Sequence, residues 1–62
     1  MALVWFTDKV STKKVAVNPK YVVAVFVAAE GEMEGTTIIS LINGTIPVAE
    51  SDLDVVTAVN GA

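Results

Sequence analysis

The dipeptide Asn43-Gly44 constrains this chain more than any other feature, because it sits between two runs of strand-forming residues, Thr36 to Ile42 and Thr45 to Val48. The tightest hairpin turns need positive φ at both central residues, which Asn and Gly tolerate best, so the pattern predicts a β-hairpin. With a two-residue Asn43-Gly44 turn, Leu41 faces Ile46 and Ile39 faces Val48. These four branched side chains then share one face while Ser40 and Thr45 point elsewhere. That face is the expected centre of the core. Pro47 strains the scheme: opposite Ser40 its missing N–H would leave a carbonyl without its partner, at about 1 kcal/mol.

The chain has 62 residues, enough for a single domain, and a chain this short buries only about 60% of the surface its unfolded form exposes. Yet 53% of the residues are hydrophobic, more than one thin core easily hides. Small domains usually draw extra stability from disulfides, a metal or association with other chains. With no cysteine and no histidine, disulfides and the usual zinc and copper ligands are missing. Association with itself or with a larger assembly is the remaining expectation. The same two absences remove thiolate nucleophiles, Ser-His pairs and imidazole acid–base chemistry, so no catalytic residues, cofactor or small-molecule substrate are expected.

Along the chain, Leu3-Val4-Trp5-Phe6-Thr7 reads as a first strand with apolar side chains on both faces. Lys13-Lys14-Val15-Ala16-Val17 reads as the second. Asn18-Pro19-Lys20 then forces a turn. Tyr21 to Ala29 is the longest apolar run, with Tyr21, Val23, Val25 and Val27 on one side and Val22, Ala24, Phe26 and Ala28 on the other. It is far shorter than the roughly 20 residues of a membrane-spanning helix, so no membrane is expected as a partner. A strand apolar on both faces must be covered on both, within the domain or by a neighbouring subunit. The expected protein-interface residues are therefore Trp5, Phe6, Val22, Ala24 and Phe26, with Met33 from the following loop.

That loop, Glu30-Gly31-Glu32-Met33-Glu34-Gly35, reads as a solvated hairpin tip. Its alternating carboxylates lack the spacing and the closing bidentate Glu of a helix–loop–helix calcium site, so no metal is expected there. Ser51 to Gly61 reads as a terminal helix over about 52–59, with Ser51 as its cap, Asp52 and Asp54 at the positive end of the dipole, and Asn60-Gly61 as a left-handed stop. Leu53, Val56 and Val59 are expected to face the sheet. A sixth strand is the alternative for this valine-rich segment.

Net charge is −3, with four lysines and no arginine, which opposes attraction to nucleic acid. The charge is divided: residues 1–29 carry a balance of +3 and residues 30–62 a balance of −6. A regulator binding nucleic acid through the Lys9, Lys13, Lys14 and Lys20 side is the alternative function. No basic residues precede the apolar N-terminal run and no small-residue cleavage site follows it, so a secretory signal is not expected, and the expected location is the cytoplasm or a particle such as a virion.

Val15-Ala16-Val17-Asn18, Val22 to Val25, Thr37 to Gly44, Ile46, Val48 and Glu50-Ser51 leading into Val55, Val56 and Val59 together resemble the small FlbD-type flagellar and swarming-motility proteins. The resemblance implies a motility setting. The run Val17-Asn18-Pro19-Lys20-Tyr21-Val22 is also similar to a fragment of the β-type LytTR DNA-binding domain, without the basic residues that hold phosphates there. The expected fold is all-β: a five-stranded antiparallel meander curled into a small barrel-like sheet over residues 1–62, with one C-terminal helix. The expected function is a non-enzymatic assembly module.

Overall fold

A computed structural model describes residues 3–61 of the chain. Strands β1 (Val4–Thr7) and β2 (Lys14–Val17) pair as an antiparallel hairpin, and β3 (Val22–Val27), β4 (Thr37–Leu41) and β5 (Gly44–Val48) form a second antiparallel sheet in that order. Helix α1 (Asp52–Asn60) follows and packs against β3 and β1. The fold is mostly β with a C-terminal helix, but the sheet is not a closed barrel, and the meander runs only through β3 to β5. The physical cause lies at Asn18-Pro19-Lys20. There Pro19–Tyr21 form a 3-10 turn, capped by the Asn18 side chain accepting from the Lys20 N–H at 3.0 Å, which carries the chain away from β2 instead of folding it back as a hairpin.

The two sheets meet along a short seam. Asp8 and Val48 form an isolated antiparallel bridge, flanked by bonds from the Lys9 N–H to the Pro47 carbonyl and from the Ala49 N–H to the Thr7 carbonyl, each 2.9 Å. Beyond it the main-chain ladder ends. The Thr7 N–H turns to the Glu50 carboxylate, at 2.9 Å from Oε1 and 3.1 Å from Oε2. Burial pushes the Glu50 pKa up, but the hydrogen bonds from Thr7 and from its own backbone, with the nearby Lys14 charge, outweigh it and hold the group below its ordinary value.

The inner faces close on Phe6, Val17, Ile39, Val48 and Val55, with Val4, Val15, Val22, Val25, Leu41, Ile46, Ala58 and Val59 packed around them. The four branched residues expected on one hairpin face are all in this set, but their pairing differs from expectation. The two-residue loop is Ile42-Asn43 rather than Asn43-Gly44, neither residue has positive φ, and Ile39 pairs with Ile46 while Val48 pairs with Thr37. The reason is Pro47. Sliding the turn by one residue sets Pro47 opposite Ile38 in a pair that exchanges no hydrogen bonds across β4 and β5, so its missing N–H is not called upon. Its carbonyl instead serves the seam.

β3 departs from simple alternation. A bulge between Val22 and Ala24 leaves Val23 without an opposite residue, so Val22 and Val25 both point inward while Ala24 and Phe26 point out. In α1 the Ser51 hydroxyl accepts from the Asp54 N–H at 3.2 Å, as a cap should. The buried face is the expected one only at Val59. Val55, Ala58 and Val59 meet the core, whereas Leu53 and Val56 are exposed, and Gly61 ends the helix with right-handed angles (φ −86°) rather than as a left-handed stop.

Candidate interaction surface

Hairpin β1–β2 turns Val4, Phe6, Val15 and Val17 inward, which leaves Trp5 opposite Ala16, and Thr7 opposite Lys14, on the outer face. The small Ala16 gives the indole little cover, and Trp5 is 65% exposed. The Lys14 ammonium is tied to the Thr7 hydroxyl at 3.0 Å, beside the Glu50 seam.

The outer face of the larger sheet carries a row of registered residues, Phe26, Ile38 and Pro47, one from each strand. Phe26 stands at the β3 end of the row and is 47% exposed; Ile38 and Pro47 are half-buried. The next row, Ala24, Ser40 and Thr45, is small and polar. It leaves the aromatic ring standing above its surroundings. Val23, thrown outward by the bulge, is 66% exposed. At the other end of β3 the Ile42 N–H donates to the Tyr21 carbonyl at 3.2 Å, so two further exposed apolar side chains adjoin.

Of the residues expected at an interface, the fold presents Trp5, Ala24 and Phe26 to solvent, and Met33 lies half-buried in its loop. Phe6 is corrected: it is 2% exposed and forms part of the core, because β1 alternates strictly and its neighbour Trp5 takes the outer side. Val22 is corrected too, since it faces the core opposite Leu41. Sequence reasoning missed Val23, Ile42 and Leu53 as exposed groups. Only Ile42 carried a signal, its place at the mouth of a turn.

The remaining candidates are polar. Lys9, Lys13 and Lys14 all belong to the β1–β2 connection or its flanks and are exposed, whereas Lys20 sits in the separate 3-10 turn. The connection is organised by Asp8, whose side chain accepts from the N–H groups of Val10 at 2.8 Å and Ser11 at 3.2 Å. Glu30, Glu32 and Glu34 are exposed on the β3–β4 loop, which turns on Gly31 and Gly35 with φ of +85° and +82°. Among the described residues no group of three acidic side chains is placed to share a metal ion, and no helix is long and apolar enough to cross a membrane. Compared with protein-family models, with curated proteins and with solved structures, the chain matches none.

Proposed function

We propose that this chain is a non-enzymatic interaction module that self-associates or docks on a larger assembly, such as a phage particle or motility machinery. The supporting observation is where its apolar side chains stand. Trp5, Val23 and Phe26 lie on outward faces of strands, although the chain is as compact as its length requires: the radius of gyration is 10.8 Å, against about 10.6 Å for a folded chain of this size. The exposure follows from strand alternation and the β3 bulge, not from a loosely packed fold. Large aromatic and branched side chains left bare in this way are the anchors from which protein interfaces are built. Size-exclusion chromatography with light scattering tests the reading. Masses above the 6.5 kDa chain mass, rising with concentration, support the self-associating form, and a clean 6.5 kDa species at high concentration leaves only the docking form.

The second reading, a nucleic-acid-binding regulator, draws on the exposed Lys9, Lys13 and Lys14 around one turn. It has weaker support, because Lys14 is engaged by Thr7 and the overall charge is −3. Titration of labelled duplex and single-stranded DNA at low salt separates the readings. Salt-dependent binding that Lys13→Glu with Lys14→Glu abolishes would favour the regulator.

A further inference from the structure

The outer edge of β3 is a better-defined feature than the apolar surface around it. β3 ends the second sheet and, among the described residues, pairs only with β4. The Ala28 N–H donates to Thr36 at 3.0 Å, which fixes the alternation: residues 24, 26 and 28 turn their main-chain groups toward β4, and Val25 and Val27 turn theirs outward. Natural sheets guard such an edge with charge, proline, short length or a bulge, and the bulge of β3 lies at its start, between Val22 and Ala24, leaving Val25 to Val27 regular. β2, at the far end, is four residues long and starts at Lys14. β3 has six residues, Val-Val-Ala-Val-Phe-Val, with no charge and no proline.

We infer that β3 is the self-association edge, pairing antiparallel with β3 of a second copy about a twofold axis at Phe26. The inference rests on the association reading above and names its partner and its surface. Placing the axis at Phe26 lets Val25 of each copy exchange hydrogen bonds with Val27 of the other, about four in all, using main-chain groups that already face outward. Phe26 then meets Phe26 of the second copy across a pair in which side chains approach closely. The outer row continues as Pro47, Ile38 and Phe26, then the same three residues of the second copy in reverse order.

Charge selects the second copy as occupant and antiparallel as the direction. Lys20 precedes the strand, and Glu30, Glu32 and Glu34 follow it. Antiparallel pairing brings the basic start of each strand alongside the acidic loop of the other, twice per dimer. Parallel pairing would put the two acidic loops together. A strand with no charge of its own sets no like charges opposite each other when it meets itself.

The test is a charge swap read by sedimentation velocity. Phe26→Lys and Phe26→Glu each weaken the dimer by roughly tenfold or more, through loss of the aromatic pair and like charges at the axis. Mixing the two variants restores association, because residue 26 faces its own counterpart. A measurement on the unaltered chain guards against a folding defect: exchange of the Val25 and Val27 amide protons slows as concentration rises. A monomer at all concentrations overturns the inference and leaves docking on another protein as the form of the proposed function. Association that neither swap weakens, or that leaves those two amides unprotected, overturns the β3 assignment while self-association itself stands.

Discussion

β3 (Val-Val-Ala-Val-Phe-Val) and β4 (Thr-Ile-Ile-Ser-Leu) are neighbouring strands, both rich in apolar residues, and they meet opposite fates. In β4, Ile39 is completely buried and Thr37 is buried beside it, because strands pair on both sides and α1 and the β1–β2 hairpin close over the inner face. In β3, Ala24, Phe26 and Val27 are exposed and the bulged Val23 points outward. Apolar character thus says that a segment prefers strand, whereas position in the sheet decides whether its side chains are covered.

The contrast is broken most sharply by truncation. Ile39→Ala should cost about 2–5 kcal/mol in urea unfolding, since the surrounding core collapses only partly into the space left. Val55→Ala on the helix should follow at roughly 2 kcal/mol, while Leu53→Ala, at a site 71% exposed, should stay within about 0.5 kcal/mol. Equal losses at Val55 and Leu53 would mean that α1 presents its other face to the sheets.

The seam gives the next largest effects. Glu50→Gln weakens the charge-assisted bond to the Thr7 N–H and should cost about 1 kcal/mol near neutral pH. Because the folded state holds the Glu50 pKa below its ordinary 4.5, its stabilisation is complete above that value and is lost as pH falls through the lower, folded one. The Gln variant should therefore show a flatter stability curve in that acid range, measured by urea titration at successive pH values. Ser51→Ala should cost about 1 kcal/mol by removing the bond to Asp54. The smallest effect belongs to the edge: Val23→Thr should change the stability of the dilute chain by no more than about 0.5 kcal/mol.

The pattern of residues carried the existence of the strands, the hairpin, the helix and its Ser51 cap, because those depend on local chemistry. It carried the inward face of β4 and β5 as well, since a turn moved by one residue on both strands keeps Ile39, Leu41, Ile46 and Val48 together. The register itself depended on which pairs exchange hydrogen bonds around Pro47, and Asn43-Gly44 pointed one residue too far along. The β3 bulge had no signal at all. A run apolar on both faces has no alternation for a slipped residue to violate, so Val22 and Ala24 were not separable by pattern. The same ambiguity hid which of Trp5 and Phe6 would be covered. Glu50 was legible only as a residue ahead of a helix, because its partner Thr7 is distant in sequence and meets it only once the two sheets are joined.

The claim that sheet position separates β3 from β4 is tested most directly by amide hydrogen exchange on the dilute chain, comparing Ile39 with Val25 and Val27 in one sample. Ile39, bonded to β5 and sealed in the core, should exchange slowest, while the outward amides of Val25 and Val27 exchange orders of magnitude faster. Protection at Val25 and Val27 equal to that at Ile39 would show that something within the single chain already covers the edge, and would contradict the account.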